Sequence, residues 1–211
     1  MYAATSDTST TTTTPAVRSA PPAQSLHIRP LRAGEEHLVQ EVFRGLSARS
    51  RFLRFHAPTP RLTAGMLRSL AQPGDRGRGT LLALVGADAV GHGQWVRDAR
   101  RPRRAEISLS VVDRHHRRGI GRSLAQSLAA AAAPWGVTEF IAWVHPENHL
   151  LAEWLRRLGS VRLPEEPGAV VVPLAALDGP GCVGSPRAHR HLERQLAPLP
   201  HRPGRGVRPT P

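Results

Sequence analysis

Apolar residues recur along the middle of the chain in two distinct spacings. Alternating apolar and polar positions predict strands, and apolar residues three or four positions apart, as in Val39 and Val42, predict amphipathic helices. The segment 52–55 reads as a short helix or a turn. The predicted strands are 26–31, 81–85, 89–96, 105–112, 140–144, 161–163 and 169–172, and the other predicted helices are 35–46, 62–70, 119–133 and 147–158.

The elements follow one another in the order βααβββαβαββ, which predicts an α/β fold built on a mixed sheet. Residues 1–25 are mostly Thr, Ser, Ala and Pro, and they offer too few large apolar side chains to bury, so we expect a disordered tail. Residues 179–211 are rich in Pro, Arg and His, which predicts a second disordered tail of basic character. The remaining residues, 26–178, are the predicted folded domain.

Arginine dominates the charge of the chain. Its 211 residues include 29 basic and 16 acidic side chains, giving a formal net charge of +13, and every basic residue is Arg. Such a charge favours polyanionic partners such as nucleic acid. Aromatic residues are only 4% of the chain and do not alternate with the arginines, which disfavours single strands held by base stacking. Nucleic-acid binding is therefore a minor hypothesis. The alternative is an Arg-rich surface that binds no polyanion.

Three features bear on where the protein works. No apolar run approaches the roughly 18 residues that a membrane-spanning helix needs. The Thr-rich N-terminus lacks the basic-then-apolar order of a secretory signal. Cys182 is the one cysteine, so the sequence offers neither a disulfide nor a cysteine metal site. These features predict a cytoplasmic protein without a membrane partner. They do not bear on its oligomeric state.

The segment 111–124 carries the clearest chemical signal. A predicted strand ends, a basic loop follows, and the sequence Gly-Ile-Gly at 119–121 opens a predicted helix. The first-turn amides of a helix have no partners within it, and together with the positive end of the helix dipole they attract phosphate. Arg117, Arg118 and Arg122 add positive charge at the same place. The pattern predicts a phosphate site, although many helices that begin with glycine bind nothing.

Other ligand sites fit this sequence less well. A Walker-type phosphate loop needs a Lys, which the chain lacks. A dinucleotide fingerprint belongs on the first strand of its domain, whereas this loop follows the fourth. The adjacent His115 and His116 lack the acidic or Cys partners of a metal site, and His145 and His149 have Pro146 where a zincin motif needs Glu. The sequence therefore predicts no metal.

Four sequence elements resemble the GNAT N-acetyltransferases, in particular bacterial members related to protein lysine acetyltransferases. The strand, loop and helix at 111–124 resemble the acetyl-coenzyme A motif Gln/Arg-x-x-Gly-x-Gly/Ala. The run LSARSRFLRF at 46–55 resembles the Leu-Ser-x-x-Ser-x-x-x-Arg-Phe element of that subgroup. Ala-Glu-Ile at 105–107 and Pro-Glu-Asn at 146–148 also match. His116 departs from the pattern, because the family usually has Gln or Arg there.

The resemblance implies both a fold and a reaction. The sheet should be mostly antiparallel and flanked by helices, and the reaction is transfer of an acetyl group from acetyl-coenzyme A to a primary amine, on a protein lysine or a small molecule. The pyrophosphate would bind the backbone amides of 117–122, with His116 able to donate to phosphate, and the pantetheine arm would follow the strand. The predicted cofactor-binding residues are Val111, Val112, His116, Arg117, Arg118, Gly119, Ile120, Gly121, Arg122 and Asn148.

Glu106 is the predicted general base. An amine attacks only when it is neutral, so a base is useful near neutral pH. The alternation of a strand places Glu106 on the same face as Ser108 and Ser110. By the resemblance, its position is that of the catalytic glutamate in related lysine acetyltransferases. The alternative is a structural carboxylate paired with the neighbouring Arg103 or Arg104.

Two other functions remain open from the sequence. Many members of the family protonate the departing thiolate with a Tyr on the helix after the second loop, whereas the one Tyr of this chain is Tyr2. Together with His116, this leaves open a GNAT-like module that binds acetyl-coenzyme A as a sensor or partner module with little turnover. A basic nucleic-acid-binding protein is the third hypothesis.

Overall fold

The structure is a computed structural model that describes residues 25–178. Apart from Ser25, the predicted tails lie outside the described residues. None of the five helices in this range has the length and apolar character that a bilayer crossing demands. The strands are β1 (Leu26–Pro30), β2 (Arg78–Val85), β3 (Asp88–Arg97), β4 (Arg104–Val111), β5 (Glu139–Trp143), β6 (Val161–Arg162) and β7 (Ala169–Pro173). The helices are α1 (Glu36–Arg44), α2 (Ala48–Phe55), α3 (Ala64–Leu70), α4 (Ile120–Ala132) and α5 (His149–Arg157).

All the strands of the described range join one seven-stranded sheet, in the order β1-β2-β3-β4-β5-β7-β6. Every neighbouring pair is antiparallel except β4 and β5, which run parallel. The parallel pairing covers only 104–106 against 139–141, while β3 pairs with β4 from Ala105 to Val111. The second half of β4 therefore has a strand neighbour along one edge only.

Helices cover both faces of this sheet. On one face α4 and α5 pack over the main core, in which Leu124, Leu128 and Phe140 are almost fully buried. On the other face α1 and α3 pack on β2 through a smaller cluster that includes Val39 and Leu82. Burial of apolar side chains on both faces stabilises the sheet that carries the loops at its ends.

The predicted fold class is confirmed, since the sheet is mixed, mostly antiparallel and flanked by helices. The predicted element order is wrong by one helix, because the segment read as a short helix or turn is α2. That helix begins after Ser47, whose hydroxyl accepts a hydrogen bond from the Ser50 amide at 3.1 Å. None of the α2 side chains is fully buried, so its sequence lacks the regular apolar stripe of α1.

Candidate active site

A cavity of about 820 Å³ lies beside the half of β4 that β5 leaves unpaired. Its volume is in the range of pockets that hold small molecules and cofactors. Most of its lining comes from β4, the loop into α4, the first half of α4, β5, α5 and α2, and Val172 of β7 and Leu177 complete it. The divergence of two parallel strands thus places side chains from distant parts of the chain around one space.

The loop after β4 leaves the N-terminus of α4 open. A short 3-10 turn at Asp113–His115 is followed by Arg117, whose φ is 63°, and by Gly119, whose φ is 78°. These left-handed conformations turn the chain directly into α4, and glycine adopts them without strain. Within the described residues, no side chain caps α4. Its first-turn amides therefore face outward with the positive end of a helix of 13 residues behind them.

All but two of the residues predicted to form the site line this cavity; the two exceptions are Val112 and Arg118. The side chain of Val112 is buried, packed with Val42, and its amide donates to the Val90 carbonyl at 2.9 Å. Arg118 is exposed to solvent. The structure therefore brings Glu106 and most of the predicted cofactor residues together, and leaves these two outside the lining.

One ring nitrogen of His116 is hydrogen-bonded within the protein. Its Nε2 lies 2.7 Å from the Val111 carbonyl oxygen, and since a carbonyl only accepts, Nε2 carries the proton and donates. The same nitrogen is 3.6 Å from a carboxylate oxygen of Asp113. In the neutral ring Nδ1 is then an acceptor, so a hydrogen bond from His116 to a phosphate requires the protonated imidazole.

Asp113 ties the loop to α2. Its carboxylate accepts a hydrogen bond from the Ser47 amide at 3.0 Å, at the N-terminus of α2. Burial raises the pKa of Asp113, but hydrogen bonds from Ser47 and Ser50 outweigh burial and hold that pKa below its usual value. The charged carboxylate therefore fixes the loop between β4 and α4 against a helix that also lines the cavity.

Asn148 caps α5 with its side chain. The Oδ1 atom accepts a hydrogen bond from the Leu151 amide at 3.2 Å. The side-chain NH₂ has no partner within residues 25–178, and the residue lines the cavity. One end of this amide thus stabilises the helix while the other remains available to a ligand.

Glu106 lies at the point where β5 leaves β4, opposite Ile141 in the register. Its side chain is exposed in the cavity, and within the described range it forms no ion pair. Arg104, one of the arginines suggested as a partner, instead pairs with Glu139 at 2.8 Å. Glu106 is therefore an accessible carboxylate at the point where the two parallel strands separate.

Arg54 is a cavity residue to which the sequence assigned no role. It projects from α2 and donates through Nη2 to the Ser108 hydroxyl at 2.8 Å. Burial lowers the pKa of Arg54, and the charge of Glu106 opposes that effect. Its only sequence signal was its place as the Arg in the run 46–55.

Two exposed apolar side chains at the cavity were also missed. Trp143 at the end of β5 is 44% exposed and Leu150 in α5 is 69% exposed. Because both residues line the cavity, they offer apolar surface to whatever enters it. A terminal position in a strand and an early position in a helix carry no pattern that would have predicted this.

His145, one of the histidines weighed as metal ligands, packs against α2 instead. The ring of His145 packs edge-on against Phe52 of α2, with centroids 4.7 Å apart, and nearby Arg49 forms an ion pair with Glu147. Across residues 25–178, no three His, Cys, Asp or Glu side chains are grouped to hold a metal ion. These contacts hold α2 against the loop between β5 and α5.

Comparison with known proteins agrees with this geometry. The model of the acetyltransferase (GNAT) family matches residues 46–159, more than half of the chain. The GNAT domain of S. lividans PAT is 26% identical, with a TM-score of 0.63, over 69% of this chain and 88% of that one.

Two more distant structures share the fold. The cAMP-binding acyltransferase from Mycobacterium smegmatis is 21% identical with a TM-score of 0.53, over 82% of this chain but only 52% of that longer protein. The spermidine N-acetyltransferase from Vibrio cholerae, in complex with CoA and spermine, is 14% identical with a TM-score of 0.55, over 72% and 97% of the two chains. The chain belongs to the GNAT family and is an acetyltransferase.

Proposed function

We propose that this enzyme transfers the acetyl group of acetyl-coenzyme A to a primary amine, on a protein lysine or a small molecule, by direct attack within a ternary complex. One arrangement carries the proposal. A single cavity holds an uncapped helix N-terminus at the end of β4 and an unpaired carboxylate, Glu106, where β4 and β5 separate.

The residues present suit the phosphates of coenzyme A. The open amides at the start of α4 attract an anion, and Arg117 and Arg122 line the same part of the cavity. The backbone of β4 past Glu106 has no strand partner on its β5 side, so its polar groups can bind an extended pantetheine arm. The free NH₂ of Asn148 is a further donor. The coenzyme supplies the activated thioester, and a backbone N–H on this edge can polarise its carbonyl.

Glu106 acts in this proposal as the base that accepts a proton from the acceptor ammonium, directly or through water. Glu106→Gln keeps the shape but cannot take a proton, so we expect acetyl transfer to fall by about 10²-fold or more. Coenzyme A affinity should stay nearly unchanged, because the phosphate site lies at the other end of β4. Thiol release with a panel of amines measures the first quantity, and calorimetric titration with coenzyme A the second.

Glu165→Gln is the matched control, since this carboxylate is exposed in the loop between β6 and β7 and should leave turnover intact. Unchanged turnover in Glu106→Gln would remove Glu106 from the mechanism. Tight binding of coenzyme A with no thiol release on any amine would instead favour a binding module with little turnover.

A further inference from the structure

The guanidinium of Arg54 lines the cavity near the charge of Glu106, but forms no ion pair with it. The other two arginines of α2 are occupied: Arg49 pairs with Glu147, and Arg51 donates to the Phe43 carbonyl. Within residues 25–178, the one hydrogen bond of the Arg54 side chain goes to the Ser108 hydroxyl, and its guanidinium lies 5.0 Å from the ring of its neighbour in α2. It forms no ion pair there.

A partly buried cation with one neutral hydrogen bond is an unfavourable arrangement unless something else binds it. A guanidinium has five N–H donors, and burial of unpaired charge costs free energy. The remaining nitrogens of Arg54 are not enclosed by the protein, since none is buried without a partner, and the residue lines the cavity. These donors are therefore available to a ligand.

Arg54 and Glu106 lie on the same wall of the cavity. Ser108, which holds the guanidinium, is two residues beyond Glu106 on the same face of β4, about 6.6 Å along the strand. A positive and a negative side chain thus stand next to each other on one wall. This pattern complements a ligand that carries an ammonium and a carboxylate on the same carbon, as an amino acid does.

We propose that Arg54 binds the carboxylate of the acceptor, so that the acceptor is a small molecule of the amino-acid class whose amine lies next to that carboxylate. The inference rests on the proposed function and narrows its acceptor. The planar fork of Arg54 matches a carboxylate through two parallel hydrogen bonds, and Glu106 then faces the amine. Trp143 and Leu150 offer an apolar surface for a side chain.

The test compares L-amino acids with their C-terminal amides as acceptors, which differ only in the carboxylate. Rates of thiol release are expressed per neutral amine, because the amide lowers the pKa of the amino group. The wild-type protein should prefer the acids by at least about tenfold in kcat/KM, the size of one lost charge-assisted interaction. In Arg54→Met that preference should vanish, because kcat/KM should fall far more for the acids than for the amides.

Two further variants keep the comparison secure. Arg68→Met removes an equal charge from an exposed position on α3 and should retain the full preference. Arg54→Lys keeps the charge but loses the fork, so an intermediate preference is expected, and this variant serves if Arg54→Met does not fold.

Equal use of acids and amides by the wild type overturns the inference, as does preferential use of lysine peptides. An equal loss on both acceptors in Arg54→Met also overturns it, because Arg54 would then act through Glu106 or the fold. In all three cases acetyl transfer itself, and so the proposed function, survives. Absence of transfer to every amine would refute the proposed function as well.

Discussion

Two neighbouring strand–loop–helix units of the sheet treat the start of their helix in opposite ways. In the unit of β4 and α4, Gly119 precedes the helix and no described side chain caps it. In the unit of β5 and α5, Asn148 caps the helix through its Oδ1. Because β4 and β5 run parallel, both helix N-termini lie at the same edge of the sheet, and both line one cavity.

Charge distribution sharpens the contrast. In α5, Arg156 and Arg157 lie in the last turn, where the negative end of the helix dipole favours positive charge. Arg122 lies instead in the first turn of α4, next to the basic loop, where the dipole opposes positive charge. A missing cap and unfavourable charges both cost stability, and a bound phosphate relieves both. The α4 unit therefore has the features of a ligand site, and the α5 unit those of a structural helix.

Among the variants of these two units, Gly121→Asp should have the largest effect on coenzyme A affinity. A carboxylate in the first turn of α4 supplies the missing favourable charge to the helix, so stability should be unchanged or slightly raised. The same charge repels pyrophosphate, and coenzyme A affinity should fall by about 100-fold or more. Calorimetric titration gives the affinity, and thermal unfolding gives the stability.

Gly121→Ala is the control for this variant. A methyl group there would meet only Val111 Cγ2 at 3.8 Å and Leu109 Cδ1 at 3.9 Å, which are ordinary contacts. Affinity should stay within about threefold of the wild type. Normal binding of coenzyme A by Gly121→Asp would show that the phosphates do not lie at α4.

Asn148 allows the two roles of the second unit to be separated. Asn148→Ala removes the cap and should cost about 1 kcal/mol of stability. Asn148→Asp keeps the capping oxygen but loses the free NH₂, so it should retain stability while coenzyme A affinity falls by up to about tenfold. Denaturant unfolding and calorimetric titration of both variants measure the two effects. Wild-type affinity in Asn148→Asp would limit the residue to capping.

Much of the fold could be predicted from local sequence patterns. The features that could not be predicted depend on tertiary pairing between distant segments. The apolar spacing of α1 and the alternation in β4 predict these elements because each buries one face. The insertion of β7 between β5 and β6 depends on pairings between distant segments, which no local pattern contains. The early split of β4 from β5 after Glu106 is likewise a matter of register.

The candidate site shows the same difference between local sequence patterns and tertiary contacts. The open start of α4 was predictable, because loop, glycines and helix are contiguous in sequence. Arg54 was not, since its contact with Ser108 joins positions 54 residues apart. The sequence also marked His116 as a donor for phosphate, whereas its Nε2 is directed at the Val111 carbonyl, a choice of rotamer that residue type alone does not decide.

His116→Ala should have the smallest effect on the comparison of the two units. The ring donates to the Val111 carbonyl at an exposed position, where water can replace it, so coenzyme A affinity should fall only about threefold. His149→Ala, an exposed His at the start of α5, is the control and should bind as the wild type. A loss of tenfold or more in His116→Ala, measured by the same titration, would mean that the ring binds phosphate directly. The first unit would then hold its ligand through a side chain as well as through the open helix, and the contrast with the capped α5 would be one of degree.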